Sequence, residues 1–153
     1  MMKRRTKFGL ILIGLLVVIQ FFPITKNQSN KIGDTDFIKI YNPPENVVTM
    51  LQTSCYDCHS NNTIYPWYNK IQPVAWFLQH HIKEAKHELN FSEFGNYSLK
   101  RKKHKLDECI DEVKEGEMPL TSYTLIHGNA KLSANQKEEF ISWLENTMNS
   151  IKE

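Results

Sequence analysis

The sequence predicts an all-α domain behind an N-terminal apolar helix. Three observations carry this. An apolar run from Phe8 to Ile24 follows a cluster of positive charges. From Asn42 onward, apolar residues recur at helical spacing between recognisable caps. Nothing between residues 23 and 153 reads as a strand.

Lys3, Arg4, Arg5 and Lys7 precede the run, which only Gln20 and Pro23 interrupt, with Gly9 and Gly14 inside it. A basic flank before an apolar stretch is the layout of an export signal. Its length lies at the lower edge of what spans a bilayer, about 17–25 residues. No small-x-small cleavage site and no lipobox cysteine follow, so residues 1–24 are expected to be an uncleaved signal-anchor. The charges would hold its start in the cytoplasm, making the chain a single-pass inner-membrane protein with its C-terminal domain in the periplasm. An apolar surface on all sides argues against a buried core helix. Residues 25–41 are polar and read as a tether, with a short extended piece at 37–41. Residues 42–150 form the domain.

Asn42-Pro-Pro-Glu45 reads as a capped helix start, with Val47, Val48 and Leu51 on one face and the helix running into residues 55–59. A loop at 60–72 holds Tyr65-Pro-Trp-Tyr68. Pro73 opens a second helix to about Leu89, and 90–96 is a break. Ser98 caps a third helix that Gly116 ends, with Leu106, Cys109, Ile110 and Val113 as its buried stripe. A short helical or turn segment lies around 123–127. The last helix starts with a capping box at Ser133–Gln136 and carries Phe140, Ile141, Leu144 and Met148.

The charge is uneven. Four of the 19 basic residues lie in the N-terminal cluster, so residues from 23 onward hold 19 − 4 = 15 against 17 acidic ones. The slight overall basicity belongs to the N-terminus, so no nucleic-acid partner is expected.

Cys55-Tyr-Asp-Cys58-His59 is a CxxCH motif. Two thiols one helical turn apart can add to the two vinyl groups of one haem. The adjacent imidazole then faces the iron from the same side. Covalent attachment keeps a haem bound in a domain too small to bury it, and the thioethers form outside the cytoplasm, in agreement with an export signal. The expected cofactor is one covalent haem c, with His59 as an iron ligand. A thioredoxin-like pair would need a βαβ context. A zinc site using Cys109 as fourth ligand lacks a second CxxC or an HxxxH pair, and a Cys55–Cys58 disulfide would be strained by its short loop. Cys109 reads as a buried thiol.

The sixth ligand is sought among Met118, His80, His81, His87, His104 and His127. Met118 is preferred because it sits in an irregular Gly116-Glu-Met-Pro119 turn just past a helix end, where a side chain can be aimed at a cofactor. His81 is the alternative. Tyr65, Trp67, Tyr68 and Trp76 could wall the haem or donate hydrogen bonds to it, Tyr68 and Trp76 foremost. The carbonyl of Pro66 or Pro73 could accept from the proximal His Nδ1–H. The basic run Lys100–Lys103 with Lys105 reads as a solvated helix face or a dock for an acidic redox partner.

Ser54-Cys-Tyr-Asp-Cys-His-Ser60, Tyr65-Pro-Trp-Tyr68, Pro73-Val-Ala-Trp76, His81-Ile82, Leu89-Asn-Phe-Ser92, Gly116-Glu-Met-Pro-Leu120, Tyr123 and His127 together resemble the bacterial haem-binding domain family of small exported proteins. The resemblance covers about positions 40–150. It implies a cytochrome c-like helical domain in which the first and last helices cross near the haem. It also implies attachment through Cys55, Cys58 and His59, with Met118 distal. The expected function is one-electron transfer with redox partner proteins at the outer face of the inner membrane. No catalytic constellation stands out, so an enzyme is not expected. The alternatives are a haem-based sensor with an exchangeable sixth site, or a non-haem CxxC thiol or zinc protein.

Overall fold

A computed structural model describes residues 4–29 and 31–152. Lys3 of the basic cluster and the first two residues of the expected anchor lie outside them. Helix α1 spans Arg4–Ile19 and buries none of its side chains. It stops five residues before the expected end at Ile24, because Gln20 turns its amide onto the Leu16 carbonyl (2.7 Å) and the Gln72 carbonyl (3.2 Å), and Pro23 cannot continue a helix. Its 16 residues give about 24 Å. Among the described residues, no helix is long and apolar enough to cross a membrane.

The segment expected as a tether contributes to the core. Phe37–Tyr41 is a helix, α2, where the sequence suggests an extended piece. Asp36 caps it by accepting from the Ile38 N–H (3.0 Å). Phe37 is fully buried, with its ring 5.0 Å from Tyr41, 5.2 Å from Phe91, 4.8 Å from Phe94 and 5.7 Å from Trp143. Alternating apolar residues read as a strand. The cap and the burial of one aromatic override that pattern. A Cβ on Gly95 would stand 2.8 Å from the Thr35 backbone, and the Gly95 N–H donates to the Thr35 carbonyl (2.8 Å). Only glycine lets these two strands of chain lie so close.

Asn42 does not start the next helix. It ends α2 in the left-handed region, at φ 43°. Helix α3 is Glu45–Ser54, with Pro44 at its N-cap and no side-chain cap. The helix does not run on into residues 55–59 as expected: Cys55 interrupts it, and α4 is the single turn Tyr56–His59. A 3-10 turn at Trp67–Lys70 precedes α5, Val74–Glu88, and a second at Phe91–Asn96 precedes α6, Leu99–Glu115. Ser98 caps α6 and Gly116 closes it at φ 82°, as expected. Helix α7 is Thr121–Thr124, and α8 is Ala134–Ser150 behind the expected capping box at Ser133 and Gln136.

Helix α8 lies mainly along α6 and touches α3. Leu51, Phe91, Phe94, Leu106, Ile110, Phe140 and Leu144 fill the space between them. The described residues hold no strand. Only an isolated bridge joins Gln28 to Asn62.

Candidate functional site

The Cys55 carbonyl accepts from both the Cys58 N–H (3.2 Å) and the His59 N–H (2.9 Å). This puts both thiols and the imidazole on one turn. His59 Nδ1 lies 2.9 Å from the Leu89 carbonyl. With Nδ1–H donating there, Nε2 keeps its lone pair free for a metal. The acceptor is therefore Leu89, at the end of α5, and not Pro66 or Pro73. Burial holds the His59 pKa below its usual value, which favours the neutral, ligating form.

Tyr56 stacks on Phe91, with centroids 5.3 Å apart and planes at 5°, and donates to Asp36 Oδ1 (3.1 Å). Asp57 Oδ2 accepts from Tyr123 Oη (2.7 Å), and Asp57 Oδ1 accepts from the Ile64 N–H (3.0 Å). The side chains between the motif's key residues thus tie its turn to four other segments.

Beside this turn lies a cavity of about 400 Å³, within the range of small-ligand and cofactor sites. Cys55, His59, Leu89, Phe91, Cys109, Val113, Met118, Pro119 and Leu132 line it. Its mouth carries Lys105 among Glu88, Glu108, Asp111 and Glu112. Lys105 Nζ lies 2.6 Å from Glu108 and 3.4 Å from Glu88, and the Glu108 bond holds the ammonium firmly protonated.

Met118 reaches the wall from the loop behind α6, where the Glu112 carbonyl accepts from the N–H groups of Glu117 (3.0 Å) and Met118 (3.1 Å). The loop is then tied down by side chains. Besides the Tyr123–Asp57 bond, Tyr68 Oη is 2.7 Å from His127 Nε2. The rings of Tyr123 and His127 stack at 4.4 Å.

All three thiols are free. Burial pushes the Cys55 thiol well up, Cys58 up to about 11 and Cys109 up to about 12. They are protonated at neutral pH, unlike the exposed, acidified thiol of a redox motif. Among the described residues no three His, Cys, Asp or Glu side chains form a group that could hold a metal ion. The absence of a strand among them weighs against a thioredoxin-like reading.

The structure brings Cys55, His59 and Met118 around one cavity and leaves other candidates outside it. Cys58 shares the turn but is not on the wall. Tyr68 braces the loop that follows Met118 through His127. Trp76 is 40% exposed and donates its Nε1–H to the Phe22 carbonyl (3.1 Å). His81 packs on Phe77 at 4.2 Å, with Nδ1 on the Phe77 carbonyl (3.0 Å). His80, His87, His104 and His127 are also off the wall. Sequence reasoning missed the Leu89 carbonyl, which no side chain advertises. It also missed the place of Cys109: expected as a buried thiol, it is only partly buried and stands on the cavity wall. Asp57 carried a signal as a carboxylate inside the motif.

The residues fit a haem. They offer two thiols on one turn, an imidazole anchored through one nitrogen, an apolar cavity and a thioether on its wall. A family model described as haem-binding domain matches residues 14–146. No curated protein and no solved structure matches the chain. With a match over most of its length and a cavity of this make-up beside the motif, the chain belongs to the haem-binding domain family.

Proposed function

We propose that this protein carries one covalent haem c and passes single electrons to and from partner proteins. Thioethers from Cys55 and Cys58 would hold the haem, His59 would ligate the iron, and Met118 would be the sixth ligand. The observation that carries this is His59: its Nδ1 is fixed on the Leu89 carbonyl at 2.9 Å and its ring lies on the wall that Met118 shares. The bound group supplies an iron that cycles between two oxidation states. The chain's part is to position and insulate it. Leu89, Phe91, Val113 and Leu132 exclude water from the cavity, and the Leu89 bond sets the orientation and basicity of the imidazole. With the Met118 thioether and His59 as its ligands, the iron would have a higher reduction potential than with two histidines.

The protein is proposed to be held in the inner membrane by α1 and the apolar residues after it, with the domain in the periplasm. Support comes from the exposed side chains of α1, among them Phe8, Leu10, Ile11, Leu12, Ile13 and Leu15, each more than half exposed. So large an apolar surface needs a cover, and Arg4, Arg5 and Lys7 flank it on the side expected to stay in the cytoplasm.

The test is expression with the c-type maturation machinery, then a reduced spectrum in alkaline pyridine. A c-type α-band that stays with the protein through acid–acetone extraction is expected, and its absence would overturn the haem c reading. In the Met118→Ala variant the sulfur–iron charge-transfer band should vanish and carbon monoxide should bind. An unchanged oxidised spectrum would remove Met118 as ligand. Carbon monoxide binding by the unaltered protein would favour a sensor with an exchangeable site.

A further inference from the structure

Helix α5 has an outer face without a partner. Ile71, Val74 and Phe77 stand three residues apart and are 46%, 42% and 61% exposed. Ala75 and Ile82, on the other side, are buried. Val74 and Phe77 are neighbours on one face of α5, Ile71 stands just before the helix in extended backbone, and an exposed apolar patch of this kind marks a contact surface.

The end of α1 is bonded to the start of this face. The Gln72 N–H donates to Gln20 Oε1 (2.9 Å), and Gln72 Nε2 donates to the Phe22 carbonyl (3.1 Å). Trp76 Nε1 donates to the same carbonyl (3.1 Å). Phe21 and Phe22 are themselves 77% and 60% exposed. Through the Phe22 carbonyl, exposed Phe21 and Phe22 are thus tied to the segment that carries exposed Ile71, Val74, Trp76 and Phe77.

We infer that this face of α5 is a lipid-contact surface, seated in the interfacial layer of the bilayer that holds α1. The inference rests on the proposal that α1 is a membrane anchor. The depth argument is geometric. Phe22 belongs to the last residues of the apolar run, and its carbonyl is bonded to Trp76. Wherever lipid reaches Phe22, it also reaches Trp76 and the residues beside it. Indole rings concentrate at the headgroup level, where their apolar body and polar N–H both find partners. Exposed Lys70 stands next to Ile71, placed to meet anionic headgroups. A folded partner could also cover Phe77, but nothing would tie that partner to the depth of Phe22. The cavity lies at the opposite end of α5, at Glu88 and Leu89, so the contact would fix the domain's tilt without covering the cavity mouth.

The experiment uses the full haem-loaded chain in vesicles of phosphatidylethanolamine and phosphatidylglycerol. The photocrosslinker p-benzoylphenylalanine replaces Phe77, Leu12 or Glu138 in turn, and the α-band checks that each variant is folded. Position 77 should give lipid adducts in a yield near that of position 12 and several-fold above that of position 138, which lies exposed on α8. Lipid adducts at 12 but none at 77 would overturn the docking surface and leave the anchor standing. Adducts at 77 with a second copy of the chain, in place of lipid, would overturn it in favour of self-association. No adduct at either position, with protein that fails to float with the vesicles, would overturn the anchor and the surface together.

Discussion

The two sides of the cavity are built differently. On the proximal side, the Cys55–His59 turn rests on packing: Leu51, Phe91 and Phe94 beneath it are at most 1% exposed, and Tyr56 lies flat on Phe91. On the distal side, no residue from Met118 to Asn129 is buried, and Leu125 and Ile126 are 80% and 65% exposed. That loop is held by the Tyr123–Asp57 and Tyr68–His127 bonds and one ring stack. Packing against a close-packed interior leaves one arrangement. A few polar bonds at half-exposed sites leave a segment that can open by itself. The histidine side is thus set by the fold, and the methionine side is adjustable.

The largest effect should come from removing the packing. Phe91→Ala deletes a ring that touches Phe37, Tyr56 and His59. It should cost about 3–5 kcal/mol of global stability, read from denaturant midpoints of the haem-loaded protein. A cost under about 1 kcal/mol would show that the proximal side is not held by its core.

A smaller and more local effect is expected from Tyr123→Phe, which removes only the donor to Asp57 Oδ2 and leaves a carboxylate oxygen unpaired. A bond to a charged group is worth about 1.5–3 kcal/mol. Amide exchange should speed up across residues 118–130 while α3 and α8 keep their protection. The sulfur–iron band should also disappear at a lower alkaline pH than in the parent. Faster exchange in every helix alike would erase the distinction between the two sides.

The two sides were also unequally legible in the sequence. Helices α6 and α8 could be read because their caps and stripes are local signals: Ser98, Gly116 and the Ser133–Gln136 box act within a few residues of themselves, and α5 could be read from Pro73 at its start. The CxxCH turn and Met118 could be picked out by residue type, and the structure places Cys55, His59 and Met118 beside one cavity. Helix α2 could not, because Phe37 is helical for the sake of Phe91, Phe94 and Trp143, which are distant in sequence. Asn42-Pro-Pro-Glu45 offers a start signal at Asn42, yet Asn42 closes the helix before it, a choice that depends on α2 existing. Tyr68, Trp76 and His81 were assigned to the haem by residue type, and only tertiary placement sends Tyr68 to His127 and Trp76 to Phe22.

The smallest effect concerns a polar group inside the packed side. Asp36 is buried beside Tyr56, and burial raises its pKa despite the bonds it accepts from Tyr56 and Ile38. A carboxyl with a raised folded pKa contributes stability that is fully present below its unfolded value, near 3.8. That contribution is lost as pH rises through the folded value, because the folded state binds the proton more tightly. Asp36→Asn keeps an oxygen to accept from Tyr56 and Ile38 but cannot ionise. Relative to the parent, the variant should therefore gain stability as pH climbs from the unfolded carboxyl range toward neutrality. Paired urea midpoints at a series of pH values would measure the difference. A difference that stays flat would mean that folding favours neither form of Asp36, and one that falls with rising pH would mean that the fold stabilises its carboxylate, so that charge as well as packing holds the proximal turn.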